Sequence, residues 1–296
     1  MKVSSLIILF VLLVGIFFSI GYCTRKRPAK VTKKSSMKDK KNTDNKKSET
    51  SLETASTNST PSDSVLPFKV QQMTYDRVQL AYRKKLAIVK GLLKQQDINT
   101  LDIELFIRAV KLEREVEVWA RQKGMKPFKL VRTYKFCESS GELGPKRKDG
   151  DKQIPEGFYH INRFNPVSKF HLSLGLNYPN RSDKVLGDTT GLGGDIFLHG
   201  DCVTVGCIPI TDNNIRELYV FAVEAKAHGQ KKIPVNIFPA RLDNAGFNKL
   251  KEQYKAQEDL VEFWASLKKG YEYFENTKEL PTIIFAKSGK YIVKTK

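Results

Sequence analysis

The sequence predicts a mixed α+β protein, mainly β with α, and three observations carry that prediction. Between residues 128 and 238, short apolar runs alternate with Gly, Pro and Asn clusters, as in strands joined by turns. Longer segments with apolar residues at helical spacing flank and interrupt those runs. Ahead of residue 67 stand an apolar run and then a polar, basic stretch, so the globular part begins near there.

Leu6 to Ile20 is almost wholly apolar and is followed by Gly21, Tyr22, Cys23 and a basic cluster, which reads as a signal sequence or an N-terminal anchor. Val3 to Cys23 spans 21 residues, long enough to cross a bilayer core of roughly 30 Å. Cys23 invites lipidation, although bulky Tyr22 stands where a small residue normally precedes such a cysteine. Arg25, Lys26, Arg27 and Lys30 follow the apolar run, against the positive-inside tendency, but long domains translocate largely regardless of that charge. Residues 24–66 hold eleven Lys and Arg against five Asp and Glu and almost no large apolar residue, so they read as a disordered basic tether.

Further along, Tyr75 to Lys94 has helical spacing and stops before the Asp97-Ile98-Asn99-Thr100 break. Leu105 to Val110 reads as a strand, and Glu113 to Gln122 as a short helix stopped by Gly124. Strands are expected at 128–136, 157–162, 170–174, 196–199 and 235–238, with Thr204 to Ile210 forming a further strand or turn. Asp212 to Ala227 begins with polar residues and continues with Ile215, Leu218, Tyr219, Phe221, Ala222 and Ala225, a polar-capped helix. Asn248 to Lys268 reads as one amphipathic helix with Trp264 in its apolar set, and 282–293 as a hairpin turning at Gly289.

The run Leu198-His199-Gly200-Asp201-Cys202-Val203-Thr204-Val205-Gly206-Cys207-Ile208 carries the chemistry. A strand ending at His199, followed by a reversal, brings an imidazole toward Cys207, and a thiol needs such a base or backbone dipoles to react as its anion. Gly206 removes side-chain bulk directly before Cys207, leaving backbone N–H groups free to face a developing oxyanion.

This segment resembles the signature of the YkuD family of L,D-transpeptidases, in which a first His-Gly precedes a [Ser/Thr]-His-Gly-Cys block; here Thr204-Val205-Gly206-Cys207 occupies the second block. The resemblance, strongest to the YafK-type branch, extends to Thr133-Tyr134-Lys135-Phe136-Cys137, Gly144-Pro145-Lys146, the run from Gly150 to Tyr159, and Ile237 to Leu242. It implies a YkuD-like β-sandwich catalytic domain with flanking helices over 127–242, preceded by an anchor (1–23), a linker (24–66) and a helical or mixed part (67–126), and followed by a helix and hairpin (243–296). It also implies Cys207 as nucleophile, His199 as general base and acid, and Gly206 as an oxyanion-hole backbone donor. Val205 stands where the family has a second histidine, which leaves His199 as the base. The short gap from His199 to Cys207 leaves transfer to an amine and transfer to water both open.

An exported enzyme of this kind acts on peptidoglycan stem peptides, or on a lipoprotein linked to the wall, with the membrane as a second partner. Tyr159, Arg241, Thr204, Lys146, Arg163 and Arg181 are candidate substrate contacts, because a chain of net charge +19 offers many groups to the substrate's carboxylates. Export favours pairing of thiols not used in catalysis. Cys137 with Cys202 leaves Cys207 free, Cys202 with Cys207 would silence it, and free thiols remain a third arrangement. His160 and His171 are secondary candidates for the cleft. A zinc site of His199, Cys202 and Cys207 matches no standard spacing and has no evident fourth ligand, and no cofactor is implied. Nucleic acid is excluded as a partner, since no basic stripe interleaved with aromatics accompanies the high charge.

Overall fold

Strand β1 (Ile103–Val110) sets the architecture, because its alternate residues serve two different cores. Leu105, Ile107 and Ala109 belong to the larger apolar cluster, while Phe106 packs with Trp119, Phe128 and Phe274 on the opposite side. The computed structural model describes residues 67–294; the expected signal or anchor, the tether and Cys23 lie outside them. No helix among the described residues is long and apolar enough to cross a membrane.

Eight strands form one hydrogen-bonded sheet in the order β3-β2-β1-β8-β4-β5-β6-β7. They are β1, β2 (Glu115–Gln122), β3 (Lys129–Lys135), β4 (Gly157–Asn165), β5 (Ser173–Leu176), β6 (Phe197–His199), β7 (Ile208–Pro209) and β8 (Ile233–Phe238). The β1–β8 and β6–β7 pairs are parallel and the rest antiparallel. Residues 67–126 thus supply two strands of the same sheet that carries β6 and β7.

Two layers of helix cover this sheet. On one face lie α1 (Phe68–Gln72), α2 (Asp76–Lys94) and α4 (Thr211–Ala227). Helix α4 is apolar almost all round, with Leu218, Val220, Phe221 and Ala222 fully buried, as expected for a helix between a sheet and another helix. Its two buried carboxylates are compensated. Glu217 accepts from Tyr134 at 3.0 Å and pairs with Lys85 at 3.3 Å, and Glu224 accepts from Tyr82 at 2.8 Å. The other face is covered by α5 (Asn244–Gln253), α6 (Glu258–Thr277) and the hairpin β9 (Thr282–Phe285) with β10 (Tyr291–Lys294), through Phe158, Phe238, Trp264, Leu267, Tyr271 and Tyr291. Helix α3 (Arg181–Leu186) starts at a capping box between Asn180 and Asp183.

Several expectations are corrected. Helices hold more of the described residues than strands do, so the protein is α+β but not mainly β. In place of a β-sandwich, a single sheet lies between helices, because both of its faces are apolar and each needs a cover. Glu113 to Gln122 is not a helix: Val116, Val118 and Ala120 alternate with Glu117 and Trp119, and Arg108 compensates Glu117 on β1 at 2.7 Å. The expected strand at 170–174 begins only at Ser173, since His171 takes a φ of +69° that extended backbone cannot hold. The helix expected at 248–268 is two: Asp243 caps α5, the chain breaks at Tyr254, and Tyr254 turns back edge-on to Trp264 at 4.9 Å.

Candidate active site

Strands β6 and β7 place the catalytic candidates. Leu198 pairs with Ile208, and both are fully buried toward α4. Alternation then turns Phe197, His199 and Cys207 to the opposite face, with His199 paired to Pro209 and Cys207 immediately before β7. Cys207 thus precedes the strand that pairs with the one ending at His199.

His199 is 1 % exposed, and its Nδ1 forms a short hydrogen bond with the Gly200 carbonyl oxygen. A carbonyl only accepts, so Nδ1 carries the proton and Nε2 keeps a basic lone pair. The ring of Phe170 lies over the imidazole with centroids 4.7 Å apart. Burial pushes the His199 pKa below its ordinary range, outweighing the upward pull of the Gly200 carbonyl and Asp201. Burial likewise pushes the Cys207 thiol up, only partly offset by a backbone hydrogen bond from Phe197 and by the charge of Lys146. Both groups are therefore neutral near pH 7. Cys207 Sγ lies 3.5 Å from the Asp195 carbonyl oxygen.

The loop between the strands is tightly specified. Thr204 Oγ1 donates to the Cys207 carbonyl at 2.8 Å and accepts from Gly206 N–H at 3.1 Å. Gly206 has φ of +128°, and a Cβ there would stand 2.9 Å from the Gln153 carbonyl oxygen, so no other residue fits without displacement. Gly200 is equally constrained, with Asp212 Oδ1 2.5 Å from where its Cβ would be. Asp212 Oδ1 also accepts from the Asp201 N–H at 2.9 Å, tying the loop to the start of α4. A disulfide joins Cys137, just after β3, to Cys202 in this loop, and Cys207 is the free cysteine among the described residues. The disulfide removes Cys202 as a thiolate ligand for zinc, and no group of three or more His, Cys, Asp and Glu among the described residues is placed to hold a metal.

The other candidates divide. Arg163 pairs with Asp195 at 2.6 Å and stacks over Phe197 at 4.8 Å, beside Cys207. Buried Lys146 pairs with Asp151 at 2.5 Å and is close enough to act on the Cys207 thiol. Tyr159 is buried, with its hydroxyl donating to Asp183 at 3.1 Å, in the role of a core aromatic. Arg241 is held against β2 by Glu115 and by Glu117, the latter at 2.9 Å. Exposed Arg181 stands on α3 at the wall of a cavity over β4 and β8. His171 sits beside Gly200 with its Nδ1 3.7 Å from Asp212, whereas His160 faces the cavity with Arg181. Sequence reasoning missed Asp195, Phe170 and the loop-tying role of Asp212; the last carried a signal, since an acidic residue opening a helix is poised to accept backbone N–H groups.

The class of protein follows from comparison with known proteins, and the chain belongs to the YkuD family: the family model described as L,D-transpeptidase catalytic domain matches residues 107–237, from within β1 to within β8. It is 35% identical over 191 residues to the protein named "Putative L,D-transpeptidase YafK" in Escherichia coli strain K12, covering 64% of this chain and 73% of that one. An identical level of similarity holds for the protein of that name in Escherichia coli O157:H7. Among solved structures, the helical cell shape determining protein Pgp2 from Campylobacter jejuni is 24% identical, with 62% of this chain and 73% of that chain covered at a TM-score of 0.38. Bd1075 of Bdellovibrio bacteriovorus is 24% identical, with 58% and 59% covered at a TM-score of 0.33. The family is one of enzymes of peptidoglycan metabolism.

Proposed function

We propose that the protein is a cysteine-dependent L,D-transpeptidase of the cell envelope that remodels the wall by acyl transfer at the third residue of a peptidoglycan stem peptide. The observation that supports this reading is free Cys207 immediately before the strand paired with the one that ends at His199, whose Nδ1 is committed to the Gly200 carbonyl and whose Nε2 is left basic. Nε2 takes the Sγ proton as sulfur attacks the stem carbonyl. Backbone N–H groups of the 206–207 turn stabilise the oxyanion, and for Gly206 this requires release from Thr204. The C–N bond of the leaving D-amino acid, or of an attached lipoprotein, breaks as its amine takes the proton from His199. An incoming amine, deprotonated by His199, then resolves the thioester and frees the thiol.

Water in place of that amine would make the protein a hydrolase, a second reading favoured by the openness of the loop, where Val203 is 50 % and Val205 74 % exposed. Arg163 and Lys146, both beside Cys207, are the candidates for holding substrate carboxylates. The catalytic unit combines the expected 127–242 with β1 and β2 of 67–126, which complete its sheet, and 243–296 covers one face. The N-terminal segment either exports it and is cleaved, or holds it at the membrane, retained or lipidated at Cys23.

The test incubates wild type and Cys207→Ala with defined stem-peptide muropeptides and a lipoprotein-linked muropeptide, reading products by mass spectrometry. Cysteine-dependent dimers are expected; cysteine-dependent release by water establishes the hydrolase. Sacculus binding without any product would make the protein a non-catalytic wall-binding module, and full activity of Cys207→Ala would overturn the mechanism.

A further inference from the structure

A cavity of about 400 Å³ lies over β4 and β8, on the face covered by the C-terminal hairpin. Its size falls within the range of about 300–1,000 Å³ common for small-ligand sites. The proposed reaction assigns no role to the residues that line it, although the sequence offered Tyr159 and Arg181 as substrate contacts and His160 as a secondary candidate.

The polar lining is all donor or neutral. His160 projects from β4, Lys232 precedes β8, Asn236 lies on β8, Asn177 follows β5 and Arg181 opens α3. No carboxylate lines the cavity. Among the described residues neither Arg181 nor Lys232 has an ion-pair partner, although their neighbours are extensively paired. Asn236 is 5 % exposed and its side chain has no hydrogen-bond partner among the described residues. Its amide opens onto the cavity, where it is available to a ligand. Burial and then the charge of Lys232 push the His160 pKa below its ordinary range, so a neutral imidazole stands beside the Lys232 cation in the cavity. Opposite these donors the wall is apolar, through Ile283 and Phe285 of β9 with Leu280 and Pro281 ahead of it.

We infer that this cavity is a second binding site, distinct from the Cys207 site, for a peptide ending in a free carboxylate. The carboxylate lies between Lys232 and Arg181, the last peptide group hydrogen-bonds Asn236 and Asn177, and short apolar side chains rest on Ile283 and Phe285. Charge complementarity selects the anion, and the apolar wall selects a peptide over a bare inorganic anion. The site binds without turnover at Cys207, so it stands or falls separately from the proposed reaction.

The test uses full-length protein carrying Cys207→Ala and follows binding calorimetrically with three probes: N-acetyl-D-alanyl-D-alanine, its C-terminal amide, and inorganic phosphate. The free acid is expected to bind, and the amide to bind at least about tenfold more weakly, as loss of a charge-assisted contact implies. Lys232→Gln and Arg181→Gln, both surface changes, should each weaken the acid by about tenfold. Arg163→Gln, beside Cys207, should leave it unchanged. The inference is overturned if the acid does not bind, if the amide binds equally, or if neither Lys232→Gln nor Arg181→Gln has an effect. Phosphate binding as tightly as the dipeptide would reduce the cavity to a simple anion site, and loss of binding in Arg163→Gln would return the peptide to the Cys207 site.

Discussion

Burial decides the protonation of His199 and Cys207, and in opposite directions. The imidazole is pushed below its usual 6.5 and the thiol above its usual 9.0, so at pH 7 both groups are neutral. In the proposed mechanism the proton moves as the bond forms, not in a prior ion-pair step. Since protonation of His199 removes the base, kcat/KM should be flat through neutrality and fall only on an acid limb below about pH 6.5, measurable as a pH–rate profile. A limb centred above 7 would show instead that His199 is stabilised as a cation. Thr204 holds the turn through both the Cys207 carbonyl and the Gly206 N–H. Thr204→Val should therefore lower kcat by about tenfold or more through misplacement of the nucleophile, with the thermal midpoint little changed. The candidate residues of the proposed chemistry were legible in the sequence, because a histidine, a cysteine and constraining glycines were adjacent in the chain. Phe170 and Asp195 were not, since they reach the site across strands and leave no local pattern.

Elements inherit their identity from what they pack against. Glu115–Gln122 carries charges among apolar residues in a way that also fits a short helix, and what makes it a strand is Arg108, which supplies the charge that Glu117 needs inside. Arg108 is itself enclosed by Trp119, Tyr271 and Phe274, so the stability of β2 depends on α6, more than a hundred residues away in sequence. The loop from β6 to β7 is fixed similarly by a distant partner, the disulfide from Cys137 to Cys202 across 65 residues. Replacing both cysteines with serine should cost about 2–4 kcal/mol of unfolding free energy in urea titrations, because the unfolded chain regains the freedom of that closed loop. The same variant should lose activity if the bridge aligns the loop, and retain it if the bridge is purely a staple.

For the described part of the molecule as a whole, two helical layers hold one sheet, and buried charges connect the layers to it. Glu156 is fully buried, pairs with Lys111 at 2.9 Å, accepts from Gly144 N–H at 2.7 Å and takes the indole hydrogen bond of Trp264 at 2.7 Å. Through it, α6 is tied to the end of β1 and to the 138–156 segment whose Gln153 carbonyl abuts Gly206. Trp264→Ala should cost about 3–5 kcal/mol from the lost packing and leave Glu156 short of a donor. Equilibrium denaturation should show a lower midpoint at unchanged slope; a change in slope would instead mean that the α5–α6 layer unfolds separately.

By itself the sequence determined the periodic elements, α2, α4, the hairpin and most strands, and it placed His199, Gly206 and Cys207 in one segment, because these signals are local: side-chain period, turn residues and adjacent chemistry. Tertiary structure alone decided that one sheet lies between two helical layers, that Glu115–Gln122 is a strand, that Tyr159 is buried and Arg241 is paired with Glu115 and Glu117, and that His160, Arg181 and Lys232 share a cavity. Those outcomes rest on long-range pairing and on the cost of burying charge without a partner, neither of which any local stretch of chain encodes.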